Sequence, residues 1–373
     1  MGSSKVYFSD FRVNAGTNLP EKLQKLIKKA GIGNIDFNRK MTAIKVHFGE
    51  PGNLSYLRPN YVKAVADVVK ELGGRPFLTD CNTLYVGRRK DALEHLSAAY
   101  ENGFNLLSTG CHIIIGDGLK GTDDVSVPVE GGTLVKEAKI GRAIMDADVF
   151  ISLSHFKGHE MAGFGGCLKN IGMGCGSRAG KMEQHNSGKP AVDREICVGC
   201  QVCSRNCAHG AISFPGKKAM IDHEKCVGCG RCLGACNFDA IYNENSSAAK
   251  ELNMKIAEYS KAVVDGRPAF HINLVLDVSP YCDCHAENDI PILPDVGMFA
   301  SFDPVALDQA CADACNAQKP IPGSLLDERM HEKDFCDHHD HFVNTTPQSE
   351  WKTCLAHAEE IGLGSREYEL IEV

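Results

Sequence analysis

No stretch of the chain approaches the apolar length that a bilayer-spanning helix needs, so no membrane-spanning helix is expected. Positive charge is not in excess. Forty Lys and Arg stand against 48 Asp and Glu among 373 residues, a net charge of -8, which leaves nucleic-acid binding without electrostatic support. Residues 1–11 contain no apolar run, so no secretory signal peptide is expected. No long low-complexity linker divides the chain. What the sequence has in abundance is cysteine, 18 residues in all. Small secreted domains pair such cysteines as disulfides, but this chain is long and shows no export signal. A reducing cytoplasm is the expected location, and the iron–sulfur reading below adds a low-oxygen niche.

The first part of the chain alternates helix and strand signals. Leu19, Leu23, Leu26, Ile27 and Ala30 form a helical stripe with Pro20 near its start and Gly31 at its end. A strand is expected over about 42–48. A second helix carries Val62, Val65, Val68, Val69 and Leu72 and closes at Gly73 and Gly74. Residues 76–79, 112–115 and 149–153 read as strands, and 91–100 as a helix. The rhythm breaks in the glycine-rich stretch 163–180. It resumes with a helix over 251–264, a strand over 271–278 and helices over 304–317 and 351–360. Such alternation predicts an α/β fold: a mostly parallel sheet core in two lobes, covered by helices. The expected division is a body over 1–189, an insert over 190–243 and a second part of the body over 244–373.

The insert is an internal duplication. Cys197-Val198-Gly199-Cys200 recurs as Cys226-Val227-Gly228-Cys229, and Ala211-Ile212 recurs as Ala240-Ile241. Each unit carries the spacing C-x2-C-x2-C-x3-C: Cys197, Cys200, Cys203, Cys207, then Cys226, Cys229, Cys232, Cys236. Two-residue gaps wrap three thiolates around one cubane, and the fourth cysteine of each run ligates the other cluster. The expectation is two 4Fe–4S clusters in a ferredoxin-like α+β module. Cys197, Cys200, Cys203 and Cys236 would hold the first; Cys226, Cys229, Cys232 and Cys207 the second. Zinc is the competing reading, but two complete four-cysteine runs at this spacing favour iron. The residues after the fourth cysteines are Ala208 and Asn237 rather than the proline of bacterial ferredoxins. Residues 191–242 hold six Lys and Arg and five Asp and Glu, a near neutrality that suits a module docked on its own host.

Electrons passing through such a module need a destination. In open α/β sheets ligands sit beyond the carboxyl ends of the strands. His47, Glu50, Asp80 and Asn82 fall there, and the densest reactive run is the glycine-rich loop. It carries His155, Lys157, His159, Lys169 and His185, the candidate catalytic residues. Lys169 suits an anion, or a covalent link if its pKa is lowered. Cys282, Cys284 and His285 are a second candidate set for metal or redox binding, with a buried cysteine turn as the alternative. Cys167 and Cys175 are weaker redox candidates. Cys336 to His341 reads as a solvated acidic loop before a metal site, and Cys81, Cys111, Cys311, Cys315 and Cys354 as small core residues.

Ile44 to Glu50, Ser154 to His159, Lys169-Asn170, Ser279 to Cys284 and Ser301 to Ala306 together resemble the domain-of-unknown-function-362 family. The resemblance covers nearly the whole chain, and many members carry a ferredoxin insert. It implies architecture rather than a reaction. The pattern His159-x9-Lys169-x15-His185 is also similar to the nickel-pincer lactate racemase family. That resemblance implies Lys169 as anchor of a nucleotide-derived cofactor, His185 as metal ligand and His159 as acid/base, with Cys167 as a departure inside the loop. The first expectation is an iron–sulfur oxidoreductase with a redox partner protein and a small-molecule substrate. The alternatives are a nickel-pincer-like enzyme acting on a small acid, and a pure electron carrier whose body docks partners.

Overall fold

The computed structural model describes residues 3–84, 87–185, 190–205, 207, 209–226, 232, 236, 238, 240–243, 248–333, 335–347 and 349–373. Cys229, Ala208 and Asn237 lie outside the described residues.

Local signals place the helices where the sequence puts them. Asn18 caps Leu19–Lys29 through a reciprocal box with Glu21, Pro20 sits in the first turn, and Leu23, Leu26 and Ile27 are buried. Pro59 opens Pro59–Glu71, and Asp303 caps Pro304–Asn316 by accepting the N–H groups of Val305 and Ala306. Removing a fully buried leucine such as Leu26 from water contributes about 2 kcal/mol.

An eight-stranded sheet runs through the body in the order Tyr368–Glu372, Ser4–Ser9, Gly297–Ser301, Ala269–Val275, Val149–His155, Met41–Lys45, Arg75–Asp80, His112–Ile115. Only Gly297–Ser301 runs against its neighbours. The two expected lobes share this sheet, because strands from both sides of the insert pair within it. Val149–His155 is buried along its whole length, as a strand covered on both faces must be. Val149, Ile151 and Leu153 join one apolar cluster and Phe150 the other, so the period-two alternation sorts them to opposite faces.

The glycine-rich stretch is not the loop expected from its sequence. Lys157–His159 and Gly163–Gly165 form a short antiparallel pair, and the helices Cys167–Cys175 and Arg178–His185 follow. Its glycines admit the protein's own atoms. A Cβ on Gly172 would stand 2.2 Å from the Ile256 carbonyl of the long helix Ala248–Val264, and one on Gly174 2.5 Å from Lys45 Nζ.

In the insert, Pro190–Val192 pairs with Ile241–Asn243, and Ile212–Ser213 with Met220–Ile221, both antiparallel. The duplication recurs in the backbone. Cys197 N–H donates to Asp193 O at 3.0 Å, and Cys226 N–H to Asp222 O at 2.8 Å. Asp193 N–H donates to Ala240 O at 2.8 Å, and Asp222 N–H to Ala211 O at 2.7 Å. Each unit's aspartate thus reaches the alanine of the other unit, which interlocks the two.

Candidate functional site

The carboxyl ends of the central parallel strands open into a cavity with about 790 Å³ of empty space, part of it open to solvent. Lys45 closes one strand, Asp80 the next and His155 a third, all on the cavity wall. The short Lys157–His159 strand adds Lys157 and His159. The helix Cys167–Cys175 adds Lys169, Asn170, Met173 and Gly174, and Arg178–His185 adds Lys181 and His185. Lys181 and His185 are four residues apart, so one helix face presents both. Cys282 and Cys284 come from the loop after Ala269–Val275. All five candidate catalytic residues therefore meet around one cavity, together with two of the three residues in the second candidate set.

Asn170 ties its helix to the sheet. Its Nδ2 donates to Ser154 Oγ at 3.0 Å and to the carbonyls of Lys45 and Leu153, and its Oδ1 accepts from Lys45 Nζ at 2.8 Å. Lys45 is fully buried and pairs with Asp80 Oδ1 at 2.9 Å. Burial alone would raise Asp80, but Lys45, His95, Lys181 and Arg89 outweigh it and hold the carboxyl below its ordinary value. Arg89, also buried, donates from Nε to Glu50 Oε2 at 2.9 Å, and its Nη1 stands 3.0 Å from His47 Nε2.

His155 is committed to the scaffold. Nδ1 stands 2.9 Å from Asp283 Oδ1, and Nε2 2.8 Å from the Leu276 carbonyl. Lys157 Nζ reaches the same carboxylate at 3.2 Å. Burial would raise Asp283, yet His155 and Lys157 hold it well below the usual range. Asp283 thereby fixes the turn that carries Cys282 and Cys284.

His159 and His185 lie deeper in the cationic environment. Burial, with Lys169 adding to it, lowers His159 to about 4 against the opposing charge of Glu160. Burial, Lys169 and His159 lower His185 to about 3. Both rings are neutral at pH 7. His159 Nδ1 accepts the N–H groups of Met161 and Ala162 at 3.1 and 3.0 Å, which places its proton on Nε2. In that tautomer Nε2–H is a donor, with Glu160 Oε1 3.6 Å away.

Lys169 departs from the condition for covalent chemistry. Its Nζ donates to Cys282 Sγ at 3.4 Å. Burial would lower its pKa, but Cys282, Cys284 and Glu160 raise it well above the ordinary value, so the ammonium is held protonated. Cys282 is pushed well down by the hydrogen bond from Cys284, against burial, with help from Lys169, Lys157 and His159. Cys284 is pushed up correspondingly as the thiol that donates. His285 turns to Glu160, with Nε2 3.3 Å from Oε1, which raises it to about 9.

The other cysteines of the body are core residues, except Cys336, which is exposed. Cys167 meets Ser152 Oγ at 3.1 Å and Cys81 donates to the Cys175 carbonyl at 3.4 Å, while burial raises all three thiols. Cys111, Cys311, Cys315 and Cys354 are buried. In the 336–341 tract, Asp340 caps a short helix and accepts from Trp351 Nε1 at 2.9 Å, a structural role. Residues that sequence reasoning missed are Lys45, Arg89, Glu160, Lys181 and Asp283. Lys45 left a signal, a lysine inside an otherwise apolar strand. Asp283 sits inside the Cys282 to His285 candidate tract but is not singled out there, and Arg89 acts through distant chain segments and left none.

In the insert, Cys197, Cys200, Cys203 and Cys236 line a single cavity with Val198, Phe214, Phe238 and Ile241. Three come from the first run and one from the end of the second. Ala219 N–H donates to Cys197 Sγ, and Ala211 N–H to Cys207 Sγ, both at 3.4 Å. Among the described residues no three His, Cys, Asp or Glu side chains gather around one ion-sized point. A cubane presents an iron at each corner, so its thiolates stand farther apart than the ligands of one ion. Four thiols around an apolar cavity, with an N–H directed at the sulfur of Cys197, fit that larger group.

Fold and site define a mostly parallel α/β protein with a cationic strand-end pocket and a duplicated cysteine-rich module. The chain belongs to the family described as domain of unknown function DUF362, whose model matches residues 42–313. No curated protein sequence matches it. It is similar to the lactate racemase apoprotein from Thermoanaerobacterium thermosaccharolyticum at 10% identity, over 74% of this chain and 51% of that chain, with a TM-score of 0.35. It is also similar to a Thermotoga maritima protein at 14% identity, over 79% of this chain and 57% of that one, with a TM-score of 0.39. The chain spans little more than half the length of these two structures. Among the described residues no helix is long and apolar enough to cross a membrane.

Proposed function

We propose that the protein is an iron–sulfur oxidoreductase. Two 4Fe–4S clusters in the insert exchange single electrons with a redox partner protein and with the strand-end pocket of the body. The observation that carries this reading is the set of four thiols, Cys197, Cys200, Cys203 and Cys236, around one apolar cavity. Cys207, Cys226, Cys229 and Cys232 would hold the second cluster. The clusters supply one-electron steps. The pocket supplies binding: Lys45, Arg89, Lys157, Lys169 and Lys181 on its wall suit an anionic small molecule, and the neutral His159 offers its Nε2 proton as a donor.

The test begins with an anaerobic preparation. About eight irons and eight sulfides per chain are expected; two zinc ions in their place would remove the reading. Lys169→Ala, His159→Ala and His185→Ala should then slow reoxidation by small anionic acceptors while iron stays full. Unchanged rates in all three variants would leave a pure electron carrier.

One observation favours a second reading, a nickel-pincer-like enzyme acting on a small acid. His159, Lys169 and His185 line the same cavity. Nickel, or a chromophore beyond the clusters, in protein expressed with nickel would select it; iron alone would not.

A further inference from the structure

Electron transfer through the clusters leaves two sulfurs in the pocket without a role. Cys282 and Cys284 both line the cavity and both are free, one buried and one half-buried. Lys169 Nζ donates to Cys282 Sγ at 3.4 Å. The turn that carries the pair is closed by His285 N–H donating to Cys282 O at 2.9 Å. It is fixed from behind, because the intervening Asp283 is buried and gripped by both His155 and Lys157. Residues two apart in such a turn fall within the Cα separation of roughly 4.4–6.8 Å that a disulfide spans. Cys81, the other cysteine on this wall, is engaged with the Cys175 carbonyl. No third metal-binding side chain joins the pair among the described residues.

We propose that Cys282 and Cys284 form a two-electron dithiol–disulfide couple inside the pocket. Oxidation joins the Cys282 thiolate to the sulfur of the Cys284 thiol: one S–H bond breaks, one S–S bond forms, and one proton and two electrons are released. The electrons leave singly, one to each of two one-electron acceptors of the iron–sulfur class, and reduction runs the same balance backwards. The couple converts single electrons into a pair at the site where a small molecule would be reduced or oxidised by two. Lys169 stabilises the thiolate that attacks or leaves during exchange. The identity of the acceptors rests on the iron–sulfur reading; the couple itself does not.

The test uses the full chain, held anaerobically in dithiothreitol and glutathione buffers of graded potential, quenched in acid and alkylated. Mass spectrometry then reads the peptide that holds both cysteines. The expected result is a shift from the doubly alkylated peptide to one lacking two hydrogens and both alkyl groups. The ratio should change tenfold for about every 30 mV, as a two-electron couple requires. Cys284→Ser should abolish the shift. A wild-type peptide that stays doubly alkylated throughout, or carries only glutathione adducts, overturns the couple. So does a Cys284→Ser chain in which Cys282 still forms an internal disulfide. Iron is measured on the same samples, which separates the two readings. The shift in a chain that holds no iron keeps the couple and removes the clusters as its acceptors.

Discussion

Asp308 Oδ1 accepts the backbone N–H of Cys167 at 2.7 Å, although 141 residues separate the two in sequence. Its Oδ2 accepts Leu168 N–H at 2.8 Å, and Asn273 Nδ2 donates to Oδ1 at 2.7 Å. A helix begins with N–H groups that have no partner within it. Gly166, at the cap position of Cys167–Cys175, has no side chain to supply one, and a Cβ there would stand 2.3 Å from Asp308 Oδ1. A distant carboxylate therefore does the capping of the helix that carries Lys169 and Asn170. Asp308→Ala should destabilise the body on the order of 3 kcal/mol, since three buried donors lose their acceptor. Gly166→Ala should also destabilise, by forcing the carboxylate out. Urea unfolding checks both; an unchanged midpoint in Asp308→Ala would show that another group caps the helix.

Glu258 is a second buried carboxylate that gathers backbone N–H groups, and it carries a pH signature. Its carboxylate accepts the N–H groups of Thr133, Leu134 and Val135 and the Thr133 hydroxyl, and lies 2.9 Å from His357 Nε2. Burial alone would raise its pKa, but His357 and these N–H groups bring it down to about 2. A depressed carboxylate contributes stability above its unfolded value, near 4.5, and loses it as pH falls toward 2. Roughly 3 kcal/mol is at stake. The wild type should therefore lose stability between pH 4.5 and 2. Glu258→Gln should be less stable at pH 7 and flatter across that window. A variant that keeps the wild-type acid slope would place the sensitivity elsewhere.

Much of this molecule is legible in the sequence because its signals are local. Pro20, Pro59 and Pro304 mark helix starts, and the apolar stripes and buried strands follow the expected periods. The glycine-rich stretch misleads because glycine has two meanings. In a loop it suggests room for a ligand, and Gly166 and Gly174 do line the cavity, but Gly166, Gly172 and Gly174 also admit Asp308, the Ile256 carbonyl and Lys45. The strand Ser4–Ser9 and the edge strand Tyr368–Glu372 beside it escape because only Val6 and Ser9 of their eleven residues are buried and no long apolar run marks them. That both ring nitrogens of His155 are engaged is not legible locally, because its partners, Asp283 and Leu276, lie more than a hundred residues away. Long-range hydrogen bonds decide whether a polar residue is scaffold or site, and no local pattern records them.

The Lys45–Asp80 pair should behave as a buried ion pair rather than as a simple source of stability. The side chains are 1% and 3% exposed and meet at 2.9 Å. Lys45→Met strands Asp80 and Asn170 Oδ1 without their cation, and should cost about 3–5 kcal/mol. The double variant Lys45→Met, Asp80→Asn removes the uncompensated charge and should recover part of that loss. Thermal unfolding of the four members of this cycle provides the measurement. Additive losses would mean that Arg89, whose Nη1 lies 3.6 Å from Asp80 Oδ2, already satisfies the carboxylate alone.

Crossed ligation in the insert can be tested by counting clusters in paired variants. Cys236 shares a cavity with Cys197, Cys200 and Cys203 although it ends the second run. The interlocked backbone pairs, Asp193 with Ala240 and Asp222 with Ala211, bring the end of each unit to the start of the other. If Cys236 serves the first cluster, then Cys236→Ala and Cys197→Ala damage the same one. The double variant should keep one intact 4Fe–4S cluster, about four irons. Cys236→Ala combined with Cys226→Ala strikes both and should leave none. An uncrossed arrangement predicts the reverse, with Cys197 and Cys236 on separate clusters and Cys226 and Cys236 on one. Iron analysis gives the count, and electron paramagnetic resonance of the reduced protein gives an independent readout. The wild type should show the broadened signal of two coupled clusters. The Cys197, Cys236 variant should show one isolated cluster, and the Cys226, Cys236 variant no intact cluster at all. An isolated signal from Cys226, Cys236 with none from Cys197, Cys236 would overturn the assignment while leaving the two-cluster reading in place.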